Sequence, residues 1–337
     1  MASLSREQLN ITPALVIEAT STFLSQQAQG DITRGQKTIT YLNPNFLWND
    51  PAYAHLKKKY EGKSLEYRHT ALIGGDGTYT GVKDLFSNPL NIDLGGQRQN
   101  TVVKVRKITS GEFIGEVDGT DISDARTALY AHWTLQYCFA GANDIKVFMF
   151  GAGPVAQQIV KFLEHSAGDR IASLTVSSRG PTADKLALDY SDSTSFPITA
   201  VHDKKGLKEA DFVISVTTAT EVLFGIEDVN LDAVFLSLGG KDMTEDLAAK
   251  ILHEGETLCD DVRLVNERKT KAAWRYLQRR ETDLVREAEA GTYKIRNFCH
   301  ATPLDRKNKK GLVQVLCSGY AALDIMVAGH CLRAAGY

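Results

Sequence analysis

Gly151, Gly153 and Ala156, in the run VFMFGAGPVAQQ, stand in the spacing G-x-G-x-x-A that cradles the pyrophosphate of a dinucleotide. Each small residue has a separate job. Gly151 permits a tight turn, Gly153 lets the main chain approach the phosphates, and Ala156 keeps the next helix close to its sheet. Pro154 and Val155 open that helix, expected over about 154–166, whose positive end faces the phosphates and whose stripe Val155, Ile159, Val160, Phe162 and Leu163 faces inward. The strand before the turn is KVFMF and the strand after the helix is IASLTVSS, which runs into Ser177, Ser178 and Arg179. An NAD site carries an Asp or Glu there for the ribose hydroxyls, whereas hydroxyls and a guanidinium suit an added phosphate dianion. NADPH is therefore the expected cofactor, with NADH possible. ADFVISVTTAT (Ala210–Thr220) and DAVFLSLGG (Asp232–Gly240) read as further strands. Ligands sit beyond the carboxyl ends of such strands, which points to Thr217, Thr218 and the stretch from Ser237 through Gly239 to Asp242 as the rim of the nicotinamide site.

These groups need a frame. GETLCDD adds a strand, and the whole makes a doubly wound Rossmann sheet. Upstream lie one amphipathic helix, ITPALVIEATSTFLSQQAQ, and the β-like runs KTITYL, SLEYRHTALIGG, YTGVKDLF, NTVVKVRKI and EFIGEVDG. They form a separate mixed α+β substrate domain ahead of the cofactor domain. GLVQVLCSGYAALDIMVAGHCLRAAG, a strand and a long apolar helix, follows a sheet that is already complete and is expected to return to the first domain. The boundaries are 1–125 with 315–337 for the first domain and 126–314 for the Rossmann domain. WRYLQRRETDLVREAEAG reads as one charge-laced amphipathic helix.

Composition narrows the function. The 337 residues include 39 basic and 41 acidic ones, a net charge of −2, so no global field recruits nucleic acid or an anionic membrane. No stretch has membrane-spanning character and the N-terminus shows no targeting pattern, which leads to a cytoplasmic enzyme as the expectation. Five scattered cysteines without a CxxC pair, and eight histidines without paired spacing, give no metal site; His69, beside Arg68, keeps some claim as an acid. The basic runs LKKKY and DRKNKKG read as solvated loops.

GVK (Gly81–Lys83), EVDGTDISDARTALYAHWTLQY (Glu116–Tyr137), the glycine turn, DFVISVTTAT and the late SGYAALD follow one another in an order and spacing that resembles the ornithine cyclodeaminase/mu-crystallin family. DGTDISDARTA is the most specific piece. The resemblance covers about residues 70–330 and implies chemistry through an imine or iminium conjugated to a carboxylate: NAD(P)H-linked reduction, amino acid dehydrogenation, opine-type condensation or cyclodeamination. It also implies a homodimer formed through the first domain.

A 2-imino acid needs cations for its carboxylate, an acid for its nitrogen and a hydride donor in line with its carbon. By the resemblance, Lys83 binds the substrate carboxylate or donates to the reacting nitrogen, Arg126 binds the carboxylate, Thr127 suits a cofactor phosphate, and Gly319 belongs to the cofactor site. The family's earlier carboxylate-binding arginine matches Arg68 or Arg34, with Arg68 preferred because it leads towards Lys83. The family's catalytic aspartate falls on Lys241 in an ungapped match and on Asp242 with a one-residue shift. Asp242 there would hold the ammonium or iminium form, or else cap the helix MTEDLAAKIL; Lys241 there would bind a carbonyl or carboxylate instead. The expected function is an NAD(P)H-dependent oxidoreductase on the C–N bond of a 2-imino or 2-amino acid. The alternatives are a cyclodeaminase that recycles bound NAD on an ornithine- or lysine-like substrate, and a non-catalytic protein that binds NADPH or another ligand.

Overall fold

Alternation of apolar and polar side chains from β5 (Gln99–Lys107), with Thr101, Val103 and Val105 buried and their neighbours exposed, marks a sheet with one covered face. The computed structural model describes residues 2–63, 65–219, 221–304, 306 and 311–337. Around β5 lie β1 (Ala2–Leu4), β2 (Thr33–Tyr41), β3 (Arg68–Gly75), β4 (Tyr79–Ser87) and β6 (Phe113–Asp118), in the order β1-β6-β5-β4-β3-β2. Among the described residues of this sheet, β1 and β6 alone pair in parallel. The C-terminal helix Ala321–Ala334, buried along most of its length, packs across β3, β4 and β5. Gly74 permits this approach: a Cβ there would stand 2.8 Å from the Ala322 nitrogen, closer than side-chain atoms tolerate. A satellite cluster of Leu47, Leu56, Tyr67 and Leu90 lies in this unit, which comprises residues 1–126 and 320–337.

The N-terminal helix is broken where the sequence reading has it continuous. Pro13–Ala19 and Phe23–Gln29 are separate because Thr20, Ser21 and Thr22 intervene, and the Thr20 hydroxyl donates back to the Val16 carbonyl at 2.7 Å.

The second unit, residues 127–319, is built on a parallel sheet of β7 (Ile145–Phe150), β8 (Ile171–Ser177), β9 (Ile198–Val201), β10 (Phe212–Ser215), β11 (Val234–Ser237), β12 (Glu256–Cys259), β13 (Ile295–Asn297) and β14 (Val313–Leu316). The order β13-β12-β14-β11-β10-β7-β8-β9 reverses direction between β7 and β10, the switch point at which doubly wound sheets bind ligands. The fold is thus a Rossmann-type sheet unit joined to a mixed α+β unit. Phe148, Phe150, Phe224 and Phe235 fill the middle of its core. The strands of Phe148, Phe150 and Phe235 are buried on both faces, which is why VFMF and VFLS read as unbroken apolar runs.

Two expectations change here. The sheet is not complete before the C-terminal tail, because β14 inserts between β11 and β12. A boundary at 315 would cut through β14; the chain re-enters the first unit at Tyr320. The stretch 274–291 is two helices, Ala272–Gln278 and Leu284–Ala290, parted at Glu281 with φ +58° and restarted by the Asp283 carboxylate, which accepts from the Val285 and Arg286 nitrogens. Most of DRKNKKG, and Thr220 at the end of the ADFVISVTTAT run, lie outside the described residues. Among the described residues, no helix is long and apolar enough to cross a membrane.

Candidate active site

Lys83 lies in the middle of β4, opposite Leu72 and Val103, and is 2% exposed. A lysine so placed costs several kcal/mol unless its charge is met, on the order of the penalty for any desolvated ion. Its Nζ donates to the Ser123 hydroxyl at 2.6 Å and to Asp324 Oδ1 at 2.7 Å. Arg126 Nε stands 3.0 Å from the other oxygen of the same carboxylate. Burial, then the Arg126 charge, push Lys83 down to about 8 against the opposing pull of Asp324. Asp124 is pushed up to about 6 by burial, with Lys83 opposing. The helix Thr120–Cys138 brings Ser123, Asp124 and Arg126 to this place, and the C-terminal helix brings Asp324. Among the described residues the acid that Arg126 pairs with is Asp324 of the C-terminal helix; Asp121 is held by Arg6 in a two-pronged bond of 2.6 and 2.7 Å.

Arg68 is not part of this cluster. It shares the Lys83 face of the sheet but is four residues along β3 from Leu72, about 13 Å by strand rise, and its guanidinium pairs with Glu66 at 2.7 Å. Arg34 is exposed on β2. His69, on the opposite face from Arg68, bonds to the Asp84 carboxylate. Thr127, half-buried, is the first residue of the second unit.

In the second unit the glycine turn has the form expected. Gly151 adopts φ +106° with its N–H donating to the Ser177 carbonyl at 2.9 Å; a Cβ on it would come within 2.6 Å of the Val216 carbonyl oxygen. A Cβ on Gly153 would meet no protein atom within 4 Å, so this position faces room for a group close to the main chain. Gly153 begins the helix Pro154–Ala167 without a side-chain cap, and Pro154 occupies its first turn. Uncapped N–H groups, a positive helix end and open space at a glycine together fit a dinucleotide pyrophosphate.

At the end of β8 the three polar residues divide. The Ser177 hydroxyl donates to the Asp203 carbonyl at 2.8 Å, and the Ser178 hydroxyl donates to the Gly180 carbonyl at 2.6 Å while accepting from the Ala183 nitrogen. Both hydroxyl protons are spent inside the protein, contrary to the expectation that they await a phosphate. Arg179 is exposed. Beyond β10, the Thr217 hydroxyl accepts from the Ala219 nitrogen and Thr218 is exposed.

After β11 the ambiguity between adjacent residues takes a definite form: Lys241 is exposed and Asp242 is buried. The Asp242 carboxylate accepts the Ser237 hydroxyl and lies against Gly239, where a Cβ would collide with it. Asp242 caps no helix; Thr244 takes that role by accepting from the Leu247 nitrogen. Burial raises Asp242 while Lys271 opposes. Lys271, itself buried, donates to the Ser237 carbonyl at 2.7 Å and to the Gly239 carbonyl at 2.5 Å, and so pins the turn from beneath. The Gly319 N–H is likewise committed: it donates to Asp260 Oδ2 at 2.8 Å, as do the Ser318 N–H at 2.9 Å and the Tyr130 hydroxyl at 2.8 Å.

Asp324, Lys271 and Asp260 escaped the sequence reading. Asp324 carried a signal, since it ends the SGYAALD segment in the resemblance. Lys271 and Asp260 carried none, because each acts through partners tens of residues away.

The model of the ornithine cyclodeaminase/mu-crystallin family matches residues 47–269. None of the curated proteins matches the chain. Among solved structures, Δ1-pyrroline-2-carboxylate reductase of Thermococcus litoralis, in complex with NADH and L-proline, is similar over 99% of this chain and 97% of its own at 16% identity and TM-score 0.77. The iminosuccinate reductase of Paracoccus denitrificans, in complex with NAD+, gives 15% identity, TM-score 0.77 and coverage of 99% and 96%. A probable ornithine cyclodeaminase from Bordetella pertussis gives 13% identity, TM-score 0.72 and coverage of 99% and 96%. At these identities the likeness establishes a shared fold.

Proposed function

The chain belongs to the ornithine cyclodeaminase/mu-crystallin family, and from that premise we propose that it is an NAD(P)H-dependent oxidoreductase acting on the C–N bond of a 2-imino or 2-amino acid. The observation that carries this reading is the burial of Lys83 beside Asp324 and Arg126 in a chain that also has a dinucleotide turn. Arg126 holds the substrate carboxylate through its fork of N–H donors, and the Lys83 ammonium gives its proton to the imine nitrogen. A nicotinamide cofactor bound at the Gly151–Ala156 turn supplies hydride to the imine carbon. The NADH and NAD+ in the two similar reductases support a nicotinamide in general. Our preference for NADPH rests on the exposed Arg179 and on the absence of a carboxylate among residues 177–179.

We assign a homodimer through the first unit. Register places Ile73, Val82, Val102 and Phe113 on one face of its sheet, with Ile73 53% exposed, and a second copy would cover them. Sedimentation of wild type against Ile73→Asp tests it. Five cysteines that form no disulfide with one another suit a reducing compartment, the cytoplasm.

The test of function is absorbance of NADPH and NADH, in separate assays, with five-membered and six-membered cyclic imino acids and with 2-oxo acids plus ammonia. Consumption of either cofactor with one of them supports the reductase. A second reading, cyclodeamination with recycled NAD, is favoured by the buried Asp242. Ammonia release from ornithine or lysine without net cofactor consumption would select it. Silence in both assays would leave a ligand-binding protein.

A further inference from the structure

One carboxylate serves two cations in the first unit. Asp324 Oδ1 accepts from Lys83 at 2.7 Å, Oδ2 faces Arg126 Nε at 3.0 Å, and Asp324 is fully buried. The three residues come from the C-terminal helix, β4 and the helix Thr120–Cys138, so no local sequence preference holds them together. Arg126 and Lys83 would repel each other here without the intervening charge. We propose that Asp324 is a positioning residue: it keeps Lys83 in the ammonium form, fixes the direction of the Arg126 fork, and thereby sets the alkaline limit of turnover. This rests on the reading of Lys83 as the acid for the substrate nitrogen.

The proton balance is simple. Reduction breaks the C=N π bond, adds hydride to carbon and adds to nitrogen a proton from Lys83, which takes one back from water. Lys83 therefore has to be charged when substrate arrives. The charged groups that face it are Arg126 and Asp124 on the helix Thr120–Cys138 and Asp324 on the C-terminal helix; its strand neighbours are Leu72 and Val103. Two of its N–H donors are spent on Ser123 and Asp324, and among the described residues the third meets no acceptor, which leaves it for substrate. Burial and Arg126 pull Lys83 down while Asp324 holds it up. Removing the Asp324 charge leaves the downward pull unopposed, so Lys83 loses its proton at lower pH.

The experiment is the pH profile of kcat/KM for wild type, Asp324→Asn and Asp324→Glu. Wild type should lose activity on the alkaline side near pH 8. Asp324→Asn should move that limb down by about one pH unit or more, the usual effect of losing an adjacent opposite charge, and Asp324→Glu should bring it most of the way back. Lower activity in Asp324→Asn with an unmoved limb would overturn the proposal. Direct titration of Lys83 by NMR of lysine-labelled protein, assigned with Lys83→Arg, reads the same quantity without turnover. If wild type consumes no cofactor, the functional reading fails, and an unchanged Lys83 titration in Asp324→Asn defeats this inference on its own. Should Asp324→Asn not fold by circular dichroism, Asp324→Ser removes the charge in a smaller side chain and takes its place with the same expected shift.

Discussion

In the proposed reading, the first unit meets its ligand with charge and the second with main chain. Around Lys83 the ions are already paired before any substrate arrives: Asp324 and Ser123 hold the Lys83 ammonium, and Asp324 also faces Arg126. Around Gly151 and Gly153, among the described residues, what counts is a backbone angle and an empty place where a Cβ would be. A carboxylate small enough to be enclosed is told from its analogues by paired cations, whereas a pyrophosphate common to all dinucleotides needs only oriented N–H groups. Damage should differ accordingly: a lost charge in the first unit stops chemistry, and an added methyl in the second blocks binding.

The largest effect should come from Lys83→Ala. It should lower kcat/KM by about a thousandfold, within the range for removal of a positioned acid, while cofactor binding measured by fluorescence titration stays within twofold. The variant also leaves Asp324 with Arg126 as its remaining cation, at a cost on the order of 1–3 kcal/mol that thermal unfolding would register. An active alanine variant would remove Lys83 from the chemistry and erase the contrast between the units. Next come the two glycines. Gly153→Ala should fold with stability within about 0.5 kcal/mol of wild type and bind cofactor at least about tenfold more weakly, because its methyl enters the open place. Gly151→Ala should instead lose about 1–3 kcal/mol of stability, since its φ of +106° and the Val216 oxygen both oppose a side chain. Equal stability losses in both would mean that the space beside Gly153 is not a ligand's. Smallest is the cofactor's phosphate. Arg179→Ala should weaken NADPH by about tenfold and leave NADH unchanged, while Ser177→Ala should cost about 1 kcal/mol of stability and affect neither cofactor, its hydroxyl being engaged by Asp203. An NADPH affinity indifferent to Arg179 would shift the choice to NADH.

Legibility followed sequence distance. The turn and its helix were readable because the strand, the glycines and the apolar stripe lie within about 35 residues and each obeys a local rule. Lys83 and Arg126 were readable only by resemblance, since nothing local distinguishes a buried lysine in YTGVKDLF from a solvated one. The carboxylate that joins them comes from 241 residues beyond Lys83, a pairing that periodicity cannot express. Small polar residues misled in both directions. Thr20–Thr22 interrupt the helix that the amphipathic run predicts, and the Ser177 and Ser178 hydroxyls, expected at a phosphate, donate to the carbonyls of Asp203 and Gly180. Hydrogen bonds from hydroxyls to main-chain carbonyls decided each case, and a hydroxyl gives no sequence sign of which partner it has found.

The place of β14 has a bearing on how the protein is made. β12 and β13 reach the rest of their sheet only through β14, a strand synthesised after both of them. A nascent chain that has extruded residues 145–300 therefore holds two strands with no sheet to join and, on β11, an apolar edge awaiting its neighbour. Pairing across such separations is slow, and unfilled edges invite association with other chains. The first unit waits longer still, because the helix that covers its sheet and carries Asp324 follows β14 directly. Both units thus become whole only once residues 313–334 have been added, and ribosome-bound chains halted before and after residue 316 should differ sharply in protease resistance.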